Sequence, residues 1–155
     1  MSSKHNTNAT EIIKGLWVGD LHSAQNKKFF EKEIIGTVVN CTPDIPNTFE
    51  TMGVLYLNIP MNDTLKEKDI KDMNRYLART VKFIHTNLLN NRNVLVHCHA
   101  GMQRSAAVVA GYLMKYHKKS IMDSVNLIIY RRPIAFFYGQ NVNFLKSLIF
   151  FSKKI

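Results

Sequence analysis

Nine residues, His97-Cys98-His99-Ala100-Gly101-Met102-Gln103-Arg104-Ser105, combine a nucleophile and an anion cradle in one short segment. The apolar run Val94-Leu95-Val96 leads into them, and Ala106 to Met114 follow with a helical pattern. A cysteine at a strand end, a loop with a glycine and an arginine opening a helix can hold a tetrahedral oxyanion against a thiolate. The helix N-terminus leaves unpaired N–H groups and its positive dipole end facing the loop. Successive loop amides curl into an anion-binding nest. Arg104 adds a planar fork that grips two oxygens and keeps its charge. The same field is expected to lower the Cys98 pKa and favour the thiolate.

These residues resemble the signature of the cysteine-dependent protein phosphatases: His-Cys, five intervening residues, then Arg with Ser or Thr, here His97-Cys98 and Arg104-Ser105. Ala100-Gly101 and the Arg-Ser ending are most similar to the dual-specificity branch, in its small viral or atypical form. Ile12 to Gly19, Val38 to Thr42, Asn62-Asp63, Gly111 to Met114 and Arg132-Pro133 also resemble their counterparts there, so the likeness covers nearly the whole chain after residue 10. It implies hydrolysis of phosphotyrosine and phosphoserine/phosphothreonine through a phosphocysteine.

What the resemblance implies can be set out residue by residue. Cys98 attacks phosphorus while Arg104 and the loop, His99, Ala100, Gly101, Met102 and Gln103, bind the phosphate. A thiolate displaces an alkoxide only when the leaving oxygen is protonated, so the loop must face a carboxylic acid. Asp63, in the loop after Pro60, matches the family's acid position. Asp69, expected to cap the following helix, and Asp44 are the rivals. Ser105 assists departure of the thiolate. His97 is expected to hydrogen-bond behind the loop and hold its shape. Asn141 matches a Pro-Asn element, with Gln140 in place of the proline, and is expected to brace the site. Cys41 ends the strand beside the catalytic one in the family's arrangement and is a candidate redox partner for Cys98. No metal or other cofactor is implied, and no His/Cys/Asp cluster at zinc-ligand spacing occurs in the sequence.

Strands that must position this loop read as Glu11–Ile13 and Leu16–Val18 around a Lys14-Gly15 turn, then residues 37–41 and 54–59. Asp20 or Ser23 is expected to cap a helix through Phe29 and Phe30. Ile70, Met73, Leu77, Val81, Ile84 and Leu88, three and four apart, predict the longest helix. Ser120 with Asp123 predicts a capping box, Arg131-Arg132-Pro133 ends that helix, and a last one covers 141–151. The expected fold is single-domain α/β, a mainly parallel sheet of about five strands flanked by helices. Residues 1–9 are expected to be a flexible segment and 10–155 the catalytic domain.

At 155 residues, 46% apolar and 21% charged, the composition is that of one globular domain. No apolar run is long enough to span a membrane, and the N-terminus lacks a signal-peptide core. With no membrane association expected and two cysteines, one needed as a free thiol, the chain is placed in a reducing, cytoplasmic compartment or, given an Asn-, Ile- and Lys-rich composition, in a virus-infected cell. The net charge of +10 is scattered rather than blocked, so phosphorylated proteins are the expected partners and nucleic acid is not. The loop lacks the lysines of inositide phosphatases and the Arg-Thr-Gly ending of RNA triphosphatases. A non-catalytic phosphate-binding module would be expected to have lost Cys98, Arg104 or Asp63.

Overall fold

The computed structural model describes residues 8–136 and 142–155. Five strands form one sheet: β1 (Ala9–Ile13), β2 (Leu16–Gly19), β3 (Ile35–Asn40), β4 (Leu55–Asn58) and β5 (Asn93–His97), in the spatial order β1-β2-β5-β3-β4. β1 runs antiparallel to β2, and every other pairing is parallel. β5 is central, which explains its unbroken Val94-Leu95-Val96 run. Alternate residues face two apolar layers: Val94 and Val96 join the larger cluster and Leu95 the smaller.

The larger layer is made by α2 (Glu67–Leu89), α3 (Arg104–Tyr116), α4 (Ile121–Arg131) and α5 (Leu145–Ser152). Along α2, Met73, Leu77, Val81 and Ile84 are all buried, each side chain contributing roughly 1.5–3 kcal/mol by leaving water. Gly111 lets α3 lie close to α2, since a Cβ there would stand 2.9 Å from Leu77. The other face is covered by the short α1 (Lys27–Lys32), whose Phe29 and Phe30 pack with Trp17 and Phe49.

Several boundaries differ from the sequence expectation. β1 already includes Ala9. A 3-10 turn at Ser23–Gln25 precedes α1, which Asn26 caps by accepting from the Phe29 amide. Asp20 instead closes the preceding turn, accepting from His22 and Ser23 amides at 3.0 Å. The last helix starts only at Leu145. The Ser120 cap forms as expected, its hydroxyl accepting from the Asp123 amide. Among the described residues no helix is long and apolar enough to cross a membrane.

Candidate active site

Cys98 follows the last residue of β5 and Arg104 opens α3, so the loop between them fills the carboxyl end of the central strand. This is where parallel sheets place ligands. Its carbonyls are tied outward one after another. The His99 carbonyl accepts from the Leu21 amide at 3.0 Å, and that of Met102 from the Phe136 amide at 2.9 Å. Between them the Gly101 carbonyl accepts from Arg132 Nε at 2.8 Å. The amides of His99, Ala100, Gly101 and Met102 meet no protein acceptor among the described residues. Fixed carbonyls outside and uncommitted N–H groups inside make a preorganised oxyanion nest.

Gly101 has φ +67°, and a Cβ there would lie 2.6 Å from Arg132 Nη2 and 2.8 Å from the Gly19 backbone. Glycine is therefore required twice, by conformation and by space. Arg132 is buried and also donates to Thr10 Oγ1 at 3.0 Å, so one guanidinium ties the loop to the start of β1. Burial pulls its pKa below the usual arginine range, while the charges of Asp20 and Cys98 oppose that shift.

Cys98 is buried, and its Sγ lies 3.2 Å from Ser105 Oγ. That hydroxyl can donate to a thiolate and stabilise it as a leaving group. Arg104 donates from Nη1 to the Met61 carbonyl at 2.6 Å, so the arginine expected to grip phosphate also anchors the loop carrying Asp63. Asp63 Oδ1 accepts from Asn143 Nδ2 at 3.0 Å. The Asn143 amide donates to Gln103 Oε1, also at 3.0 Å, and the half-buried Asn143 thus links the candidate acid to the loop after Cys98.

The other expected residues sort out physically. Asp69 neither caps α2, whose N-cap is Lys66, nor is available as an acid. It is buried, and its Oδ2 accepts from both the amide and the hydroxyl of Thr64 at 2.6 Å, clamping the acid loop. Asp44 Oδ1 sits 3.0 Å from His99 Nε2, forming an exposed pair at the loop rim. Ala100 is exposed and Met102 half-buried, while the Gln103 side chain faces Asn143. His97 is fully buried; neither ring nitrogen meets strict hydrogen-bond geometry among the described residues, and the ring's closest backbone interaction is with Cys98. Burial, with help from the Arg104 and His99 charges, holds its pKa down to about 4 against a smaller opposing effect of the Cys98 backbone. The ring is a neutral apolar-like filler. Asn141 lies outside the described residues.

Cys41 is a free, buried thiol whose amide donates to the His97 carbonyl at 2.9 Å, making it the neighbour of Cys98 across parallel strands. Burial raises its pKa well above the usual thiol value; the Cys98 charge adds to this and Arg104 opposes it. No group of three or more metal-ligating side chains occurs among the described residues. Arg132 and Asn143 are the functional residues that motif reading left without a role. Only Arg132-Pro133 as a point of resemblance and the Asn141-Val142-Asn143 doublet signalled them.

A family model described as dual specificity phosphatase, catalytic domain, matches residues 16–154. Human dual specificity protein phosphatase 16 is 31% identical over 150 residues, which span 97% of this chain and 22% of that protein. Human dual specificity protein phosphatase 9 is 32% identical over 143 residues, 89% of this chain and 36% of the relative. The chain thus spans well under half the length of either. The crystal structure of a human DUSP28 variant with one tyrosine replaced by histidine superposes with a TM-score of 0.83 at 23% identity, covering 94% of both chains, which establishes the shared fold.

Proposed function

The chain belongs to the dual specificity phosphatase catalytic-domain family, and on that footing we propose that it hydrolyses phosphotyrosine and phosphoserine/phosphothreonine in proteins. The observation that carries this reading is Cys98 set beside a loop with outward-tied carbonyls and uncommitted amides, with Ser105 Oγ 3.2 Å from the sulfur. Residues 10–155 are the catalytic unit.

Cys98 thiolate attacks phosphorus in line while Arg104 and the amides of residues 99–103 stabilise the equatorial oxygens. The carboxyl of Asp63 protonates the departing oxygen. In the second step the Asp63 carboxylate takes a proton from water, which attacks the phosphocysteine, and Ser105 donates to the leaving sulfur. The product is inorganic phosphate and the free thiolate. No step requires a metal. His99 contributes its amide, with its side chain held by Asp44.

A compartment that keeps Cys98 and Cys41 reduced is the setting this chemistry needs. The basic surface favours approach of acidic phosphoproteins. Cys41 serves as the thiol that captures an oxidised Cys98. A non-catalytic module would have no use for an intact Cys98, Arg104 and Asp63. The test is phosphate release from phosphotyrosyl and phosphothreonyl peptides, an inositide and a triphosphorylated RNA, all with EDTA present. Turnover of both peptides is expected; turnover confined to the inositide or RNA would overturn the assignment.

A further inference from the structure

Leu65 lies two residues after Asp63, with φ +66° and 69% of its surface exposed. A bulky L-residue is disfavoured in this left-handed region because Cβ crowds the following carbonyl oxygen. Exposure of a leucine does nothing for folding. Glycine or asparagine would hold the same backbone with less strain. The neighbours nevertheless enforce the conformation. Thr64 is clamped on Asp69, and Lys66 starts α2 with extended backbone and its carbonyl accepting from the Asp69 amide. The same loop is anchored by Arg104 at Met61 and by Asn143 at Asp63. A strained, exposed, apolar residue in the segment that carries the acid is the kind of outlier found at ligand contacts.

Position, rather than φ alone, makes the argument. Ile34 has φ 52° and is 75% exposed, but it closes the turn before β3, at the end of the sheet away from Cys98. Leu65 follows Asp63 by two residues, on the loop that Arg104 ties at Met61 and that Asn143 ties to Gln103 of the Cys98 loop. The charged and polar groups there, Arg104 and the loop amides, recognise the phosphate and nothing beyond it. A leucine gains from an apolar neighbour and gains little from an inositol ring or a nucleotide. The Asp44 carboxylate on the rim further disfavours polyanions.

We propose that Leu65 is a specificity-determining residue that packs on the side chain flanking the phosphorylated residue, so that an apolar flank is preferred. This rests on the protein-phosphatase reading above.

The experiment uses Leu65→Asn, because asparagine tolerates the left-handed backbone and removes the apolar contact. Wild type and variant are compared on p-nitrophenyl phosphate and on two phosphotyrosyl peptides, one flanked by leucines and one by glycines. Thermal stability and p-nitrophenyl phosphate turnover are expected to stay unchanged. Wild type should prefer the leucine-flanked peptide, and the variant should lose about tenfold in kcat/KM on it, through KM. The glycine-flanked peptide should be almost unaffected. Equal kinetics of wild type and variant on both peptides would overturn the proposal. So would a matching kcat loss on p-nitrophenyl phosphate, which would make Leu65 a positioning element of the acid loop. If wild type turns over the aryl phosphate but neither peptide, the protein-substrate reading fails and this inference falls with it.

Discussion

Asn143→Ala removes one hydrogen bond, 3.0 Å from Nδ2 to Asp63 Oδ1, and leaves the rest of the acid loop tied. The backbone amide of residue 143 can still donate to Gln103 Oε1, Arg104 still holds the Met61 carbonyl and Asp69 still holds Thr64. The loop therefore keeps its place and the carboxyl loses its aim. A hydrogen bond to a charged group is worth about 1.5–3 kcal/mol, so kcat should fall about 10- to 150-fold. That falls at or below the lower end of the roughly 10²–10⁴-fold contribution of a general acid, as expected when the carboxyl is misaimed rather than removed. The loss must depend on the leaving group. A threonine alkoxide is far more basic than p-nitrophenolate and leans harder on the proton. Steady-state assays on a phosphothreonyl peptide and on p-nitrophenyl phosphate should show the larger kcat loss on the peptide, with KM little changed. In the Asp63→Asn background the Asn143→Ala loss should nearly vanish, because both substitutions disable one function. Equal losses on both substrates, or additive losses in the double variant, would refute the linkage.

Asp63→Asn itself should damage phosphothreonine hydrolysis more than aryl phosphate hydrolysis and flatten the basic limb of the pH–rate profile. Gly101→Ala should lower the melting temperature and weaken vanadate binding together, since a Cβ meets Arg132 at 2.6 Å and the Gly19 backbone at 2.8 Å. His97 stays neutral when folded down to about pH 4, whereas an exposed histidine takes its proton near 6.5. Between those values the unfolded chain binds more protons, so stability should fall by up to about 3 kcal/mol as pH drops from 6.5 to 4. His97→Asn should flatten that slope in urea titrations. Peroxide should convert Cys98 to the sulfenic acid, and the Cys41 thiol should then displace water to form a disulfide visible by peptide mapping. Cys41→Ser should instead let Cys98 overoxidise irreversibly; a Cys98 that resists overoxidation in this variant would count against the pairing.

Local signals carried the features the sequence made plain. The strand, loop and helix around Cys98 are contiguous, the Ser120 cap acts over three residues, and α2 announces itself by spacing. The features that stayed hidden depend on groups the fold brings together. Arg132 reaches Gly101 from 31 positions away and Asn143 reaches Asp63 from 80, so no window shows either bond. The family pattern pointed to Asn141, which lies outside the described residues, and gave no sign of the bond from Asn143 to Asp63. Asp69 looked like a helix cap because aspartate favours that position. Its carboxylate instead folds back onto Thr64, a competing local bond that composition does not rank. The cap expected from Asp20 or Ser23 moved to Asn26 because a 3-10 turn intervenes. His97 was expected to bond behind the loop; its ring interacts with the Cys98 backbone but reaches no partner at strict hydrogen-bond geometry among the described residues.

The central claim, a phosphocysteine at Cys98, is tested most directly by trapping it. Ser105→Ala removes the hydroxyl that stands 3.2 Å from the sulfur and should slow breakdown of the intermediate more than its formation. Rapid acid quench of this variant with a phosphotyrosyl peptide, followed by peptide mass mapping, should find one phosphoryl group on the peptide containing Cys98, with a burst of product of matching size. Cys98→Ser in the same background should show neither. A phosphoryl group on another side chain, or turnover that survives Cys98→Ser, would contradict the account.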